Sequence, residues 1–396
     1  MLKENYFKLL YPVEIKNSGE FIKILNSIGT DSGAFKYLSP KYKIINIYAE
    51  KIDFRAATFL KQELLARNGD AAVAKHVIDG KTDFSDVLLM GTISQLESLL
   101  IKLNSMDIWG LKNFREELSS TLKNLKIHEW KFNLNNNRQL ILNENTQIMG
   151  IINLTPDSFF EDSRISNEKD LLKRVENFIN DGAKIIDLGA ESTRPNSEKI
   201  NESEELKRLI PALKILRKNF PNIIISVDTY KSKVAEISIN EGADIINDIS
   251  GFEFDAEIPE TISKLNVPYI LSHIKSDSEP FKNLRSEIIS YFRNKLNILE
   301  KAGVNLKNII LDPGLGFGKN PAENFYIVKN IDFLKIFGLP ILIGHSRKRF
   351  LGKNNLPGTL AVSAFLNGKI NLIRVHDVKE NYDTLSAMQN IMNYEF

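Results

Sequence analysis

The chain has 396 residues, with 52 Lys and Arg against 50 Asp and Glu, and contains no cysteine. That length exceeds what one hydrophobic core usually serves, so two domains, or one domain with a large extension, are expected. The even charge balance argues against nucleic acid or an anionic membrane as partner, and the missing thiols exclude disulfides, thiolate metal sites and cysteine nucleophiles.

The opening MLKENYFKLLYPVEIK is broken by charges and Pro12, unlike the apolar run of a signal peptide, and no later window approaches a membrane span. A cytoplasmic protein is expected. Residues 1–130 read as a small α/β domain: KYKIINIYAE and FSDVLLMG have strand character, FRAATFLKQELLARNGD and SQLESLLIKLN helix character. The string LARNGDAAVAKH allows two readings, a helix-to-strand turn or a binding loop. Residues 131–145, with NLNNNR at their centre, read as a linker or turn.

From 146 to 396 the pattern changes. Eight short apolar runs follow one another: QIMGIIN, AKIIDLGA, NIIISVD, ADIINDI, VPYILSH, NIILDPG, LPILIGH and INLIRVH. Between them lie segments such as EKDLLKRVENFINDG, with apolar residues three and four apart and Gly182 placed to cap the end. Eight strands alternating with helices over about 250 residues predict a (β/α)8 TIM barrel, preceded by the smaller N-terminal α/β domain. A doubly wound dinucleotide fold would need a glycine fingerprint after its first strand, and none is present.

Chemistry in such a barrel sits at the C-terminal strand ends. Here those ends carry Asn153, Asp187, Asp228, Asn247, His273, Asp312, Ser346 and, from the eighth strand, Arg374 with His376. Asp228, Asp312 and Asn247 suit a flat heterocycle with amine and ring N–H groups. Either aspartate could instead cap the helix after it. Lys348, Arg374, His376 and Arg194 offer donors for a phosphate or diphosphate. The segment DPGLGFGKN fails the phosphate-loop pattern, because Pro313 stands where its first Gly is needed and Asn320 where Ser or Thr is needed. Its glycines instead let backbone approach a ligand, with Phe317 as an apolar wall. The five histidines show no zinc-pair spacing, and His345 reads as a packing residue.

The motifs MGIINLTPDSF, IIDLGAESTRP, SVDTYK, ADIINDISG, ILDPGLGFGK, IGHSRK and IRVHDV span the barrel in one order. Together they resemble dihydropteroate synthase, the sulfonamide-inhibited enzyme of folate biosynthesis. The resemblance implies condensation of 6-hydroxymethyl-7,8-dihydropterin diphosphate with p-aminobenzoate, with magnesium as cofactor and a homodimer as the assembly. It places the pterin on Asp228, Asn247, Asp312 and Lys348, with Asp187 as a nearby acceptor. It places the diphosphate on Asn153, through magnesium, and on Arg374 and His376. The p-aminobenzoate pocket falls to Phe159, Thr193, Arg194, Pro195, Phe317 and Ser346. Catalysis falls to Asp157, Lys348 and Arg374: diphosphate leaves, a cation forms at the pterin methylene beside Asp157, and the aromatic amine attacks it.

Two positions depart from the family pattern. Ala190 stands where a second glycine is usual, and strand five reads Ser272-His273-Ile274-Lys275 in place of a methionine-rich run. Two rival functions remain: a pterin-dependent methyltransferase, which would have no diphosphate to hold, and a non-catalytic pterin-binding protein.

Overall fold

The computed structural model describes residues 9–15, 18–135, 137–154, 164–191, 199–275, 283–352 and 355–393, without the side chains of 164–167 and 393. The chain divides into two units, residues 1–123 and 124–396. Among the described residues, no helix is long and apolar enough to cross a membrane.

The first unit holds α1 (Ser18–Ile28), the short α2 (Phe35–Leu38), β1 (Ile44–Asp53), α3 (Phe54–Leu65), β2 (Asp70–Val73), β3 (Phe84–Thr92), α4 (Ile93–Leu103) and most of α5 (Leu111–Asn124). Its three strands form an antiparallel sheet in the order β1-β3-β2. The alternation in β3 buries Val87 and Leu89 on one face. Ala56, Ala57, Leu60 and Leu64 of α3 and Leu96, Leu99 and Leu103 of α4 share their core. Local chemistry fixes both helix starts: Asp53 accepts the Arg55 N–H at 2.9 Å, and Thr92 with Gln95 forms a capping box. LARNGDAAVAKH takes the turn reading. Asn68 adopts a left-handed φ of 59°, Gly69 follows, and β2 begins at Asp70.

The second unit begins with a hairpin of β4 (Glu129–Asn133) and β5 (Gln139–Asn143), lying where a linker or turn was expected. The turn signal belongs to the hairpin's tip, and the strands on either side are five residues each. Next come eight parallel strands: β6 (Gln147–Asn153), β7 (Ile185–Gly189), β8 (Ile224–Asp228), β9 (Ile245–Asp248), β10 (Tyr269–Ser272), β11 (Ile309–Asp312), β12 (Leu342–Ile343) and β13 (Leu372–Val375). Hydrogen bonding runs β11-β10-β9-β8-β7-β6-β13-β12, and a parallel bridge between Leu311 and Ile341 joins the two ends. The helices are α6 (Arg164–Asn180), α7 (Glu202–Asn219), α8 (Ser232–Asn240), α9 (Ile258–Leu265), α10 (Leu284–Lys301), α11 (Pro321–Lys329), α12 (Asn355–Leu366) and α13 (Val378–Asn393). This is the expected (β/α)8 barrel, and Gly182, at φ +95°, follows the end of α6 as its spacing predicts.

Two apolar cores follow from strand alternation. Residues facing the helices, such as Ile152, Ile186, Leu188, Ile225 and Val227, pack with the helix stripes. Inside, Met149, Ile185, Ile224, Ile245, Ile270, Ile310, Leu342 and Leu372 form a floor with Phe132, Leu140 and Leu142 of the hairpin. Arg138, at the end of the hairpin turn, fastens it underneath by donating to the buried Asp244 at 2.9 Å, which Arg217 also reaches at 2.9 Å. Ala190 is fully buried in the outer core, so its extra methyl packs among apolar side chains rather than against a ligand.

Candidate active site

Side chains two residues apart on a strand share a face, so the residues above the floor can be read from it. Two positions beyond Ile185, Ile224, Ile245, Ile270, Ile310, Leu342 and Leu372 stand Asp187, Ser226, Asn247, Ser272, Asp312, Gly344 and Arg374. Two strands add no polar side chain here: β6, with Ile151 above Met149, and β12, with Gly344 above Leu342. The barrel interior thus changes from hydrocarbon to polar within one pleat.

Arg374 organises this layer. Its Nε donates to Asp187 Oδ2 at 2.5 Å, its Nη2 donates to Asp228 Oδ2, and Asn247 Nδ2 reaches the same Asp187 oxygen at 3.2 Å. Burial pulls the guanidinium down, but Asp187 and Asp228 hold it above its ordinary value, so it stays charged. Burial pushes the Asp228 carboxyl up to about 7 against the pull of Arg374, with the Asp187 charge adding to the rise. Asp187 Oδ1, Ser226 Oγ and Ser272 Oγ are buried without a hydrogen-bond partner among the described residues. Unsatisfied polar atoms of this kind call for a polar ligand or water.

Asp312 is buried and its carboxyl is raised by that burial; its Oδ1 accepts the Gly314 N–H at 2.8 Å. Neither it nor Asp228 caps a helix: the first turn of α8 is met instead by Asp255, which accepts the Ser232 N–H at 2.7 Å. The half-buried Lys348 lies 4.1 Å over the Phe317 ring, and burial lowers it to about 8 while Asp312 pulls it up. Asn153 and Asp228 flank Gly189, where a Cβ would stand 3.6 Å from Asn153 Oδ1 and 3.8 Å from Asp228 Oδ2. The missing side chain keeps this side of the mouth open.

On the far side, buried Ser346 accepts the His376 backbone N–H at 3.2 Å and lies 3.1 Å from His376 Nδ1. Its hydroxyl is thus engaged with the histidine expected at the diphosphate. Burial, reinforced by Arg347 and Arg374, pushes His376 down to about 4. His345 packs as expected, with Nε2 2.8 Å from Ser363 Oγ. His273 closes β10 against the Tyr291 ring at 4.6 Å and is pushed down to about 2, chiefly by burial. In DPGLGFGKN, Asn320 does helix work: it forms a capping box with Glu323 at the start of α11.

Asp157, Phe159, Thr193, Arg194 and Pro195 lie outside the described residues. The remaining expected site residues surround the mouth. Sequence reasoning missed a second network at its rim, where Glu191 accepts from Tyr230 at 2.9 Å and from Lys231 at 2.6 Å, while Lys231 also reaches the buried Glu205 at 2.5 Å. The motifs SVDTYK and AESTRP contain three of these four residues, but only the fold brings them together. Buried Lys319 was missed as well, because its acceptors are backbone carbonyls.

A family model described as pterin binding enzyme matches residues 149–376. The dihydropteroate synthase of Clostridium beijerinckii is 42% identical over 253 residues, which cover 62% of this chain and 93% of that protein. Among solved structures, the dihydropteroate synthase of Xanthomonas albilineans with 4-aminobenzoic acid matches at a TM-score of 0.62 and 29% identity, covering 67% of this chain and 100% of its own. That of Coxiella burnetii in complex with pteroic acid matches at 0.59 and 30% identity, with the same coverage of 67% and 100%.

Proposed function

Because the chain belongs to the pterin-binding enzymes and, among them, to the dihydropteroate synthases, we propose that the polar layer of the barrel seats a pterin and that its rim seats the leaving diphosphate. The reaction condenses 6-hydroxymethyl-7,8-dihydropterin diphosphate with p-aminobenzoate and releases 7,8-dihydropteroate and diphosphate, a step of folate biosynthesis. The observation that carries the placement is Arg374 bridging Asp187 and Asp228 beside Asn247. Acceptors that bind amine and ring N–H groups are here joined to a cation that can face an anion.

A guanidinium has five N–H donors, and the bonds to Asp187 and Asp228 leave others for diphosphate oxygens. His376 adds a further hydrogen-bond donor to the same anion. As the carbon–oxygen bond breaks, charge passes to the diphosphate beside Arg374, and the cation left at the pterin methylene is stabilised by the ring and by carboxylates around it. Asp228, Asn247, Asp312 and Lys348 hold the ring so that the methylene faces the mouth, where the amine of p-aminobenzoate attacks and then loses its proton. Asp157 beside the cation, and Phe159, Thr193, Arg194 and Pro195 with Phe317 and Ser346 around p-aminobenzoate, are assigned on the motif match.

Magnesium fits the donor set. Among the described residues no cluster of three or more His, Asp or Glu could cage a metal, and Mg2+ commonly binds through one or two protein oxygens with phosphate and water completing its shell. Asn153 Oδ1, open at the mouth, would hold it, and the ion would offset charge on the diphosphate. A cytoplasmic homodimer completes the assignment. The absence of cysteine supports the location, and exposed Ile298, Phe325, Tyr326, Phe365 and Tyr382 on α10 to α13 support the dimer.

Arg374→Ala should weaken inorganic diphosphate binding by roughly tenfold or more in calorimetry, the scale of a lost charge-assisted contact. Unchanged affinity would refute the placement. Methyl transfer to a corrinoid acceptor, without dihydropteroate formation from the two substrates and magnesium, would overturn the function itself.

A further inference from the structure

Lys319 is only 8% exposed, and its ammonium donates to three backbone carbonyls: Gly314 at 2.8 Å, His273 at 3.2 Å and Phe317 at 3.2 Å. A lysine ammonium has three N–H donors and no acceptor, so these bonds use all of them. His273 directly follows β10, whereas Gly314 and Phe317 lie in the loop after β11. One side chain therefore ties two neighbouring strand ends together.

The tie is made where the two backbones touch. Gly314 has φ +65°, and a Cβ there would fall 1.9 Å from the His273 carbonyl oxygen. Its N–H holds Asp312 Oδ1 at 2.8 Å, which sets the direction of the carboxylate assigned to the pterin. The rest of the loop is held from outside, where buried Asn324 of α11 accepts the Gly316 N–H at 2.7 Å and donates to the Lys319 carbonyl at 3.1 Å. Phe317, whose carbonyl Lys319 grips, carries Lys348 over its ring at 4.1 Å. Moving the Lys319 ammonium would shift both Asp312 and the Phe317–Lys348 pair.

We propose that Lys319 is a positioning residue for the pterin, acting through the loop that aims Asp312 and Phe317. This rests on the pterin placement given above. Retaining a buried charge here works against the surroundings: burial lowers Lys319 to about 7, Asp312 of β11 and Glu323 of α11 pull it up, and Lys348 and Lys275 push it down. His273, lowered to about 2, faces it uncharged. A neutral amine would have only two N–H groups for three carbonyls and would leave one of them without a donor. Pterin affinity should therefore fall as pH rises through about 7 and the ammonium loses its proton.

Calorimetry of the full chain with 6-hydroxymethylpterin and, separately, inorganic diphosphate tests this. Lys319→Gln should weaken pterin binding by about tenfold at about pH 6 and leave diphosphate affinity within about twofold. Lys319→Arg, which keeps its charge, should lose the part of the decline centred at about pH 7, whereas Lys348→Arg, whose own group lies at about 8, should keep that part. Pterin affinity of Lys319→Gln equal to the parent's would overturn the proposal. If that variant does not fold, a decline at about pH 7 that persists in Lys319→Arg and vanishes in Lys348→Arg overturns it equally. Asp312→Asn separates the two levels: a variant that binds pterin as the parent does sinks the placement itself, while loss there without loss in the Lys319 variants sinks only the positioning role.

Discussion

Asp228 shows how the site trades stability for chemistry. Its carboxyl is raised from an ordinary 3.8 to about 7, burial being the largest cause. A group with a raised folded-state value contributes stability that is fully present below about pH 4 and is lost as pH rises through about 7. Asp228→Asn should therefore gain melting temperature over the parent at about pH 8 and gain much less at about pH 4. The gap should be on the order of ten degrees, since a rise from 3.8 to about 7 is worth about 4 kcal/mol and about 1 kcal/mol moves a domain of this size by about 2–4 °C. Equal shifts at both pH values would contradict the assignment. The positions of Asp187, Asp228, Asn247, Asp312 and Arg374 were legible in the sequence, because each stands at the end of a short apolar run. The direct pairing of Arg374 with two aspartates was not, because it depends on β13 lying beside β6, from where its side chain reaches Asp187 of β7 and Asp228 of β8 inside the closed ring. Nor could the sequence show that His376 is pushed down, which follows from its burial and from the charges of Arg347 and Arg374.

At the level of elements, the β4–β5 hairpin departs most from what the sequence suggested. Its strands are short and its turn, NLNNNR, dominates the local composition, so the pattern reads as a linker. The alternation of Trp130, Phe132, Leu140 and Leu142 acquires meaning only when a floor exists for it to complete. Phe132 is fully buried there, and Phe132→Ala should cost about 3–5 kcal/mol in denaturant unfolding of the barrel. A loss below about 1 kcal/mol would show that the hairpin is peripheral. The eight strands and their helices were legible because each is a continuous apolar run followed by a 3.6-residue pattern, and parallel strands buried on both faces are written that way.

For the whole molecule, the boundary between units falls at residue 123, before the hairpin rather than after it. A chain starting at Asn124 keeps Phe132, Leu140 and Leu142, whereas one starting near Asn143 removes them from the floor. The first should fold and form dihydropteroate; the second should aggregate or melt at a markedly lower temperature. If both behave alike in a melting experiment coupled to an activity assay, the floor is dispensable. Residues 1–123 have their own sheet and core, so their contribution to the reaction can be read by comparing the full chain with the one starting at Asn124.

The hairpin floor also sets an order of traffic. With the lower end packed by hydrocarbon, the barrel is a well with one doorway, and whatever lies deepest must have entered first. On the proposed placement, a pterin on the polar layer would have to arrive before a p-aminobenzoate bound nearer the mouth, and early arrival of the second substrate would block the first. Excess p-aminobenzoate should then slow the enzyme at low pterin concentration, as a queue stalls when its members arrive out of turn.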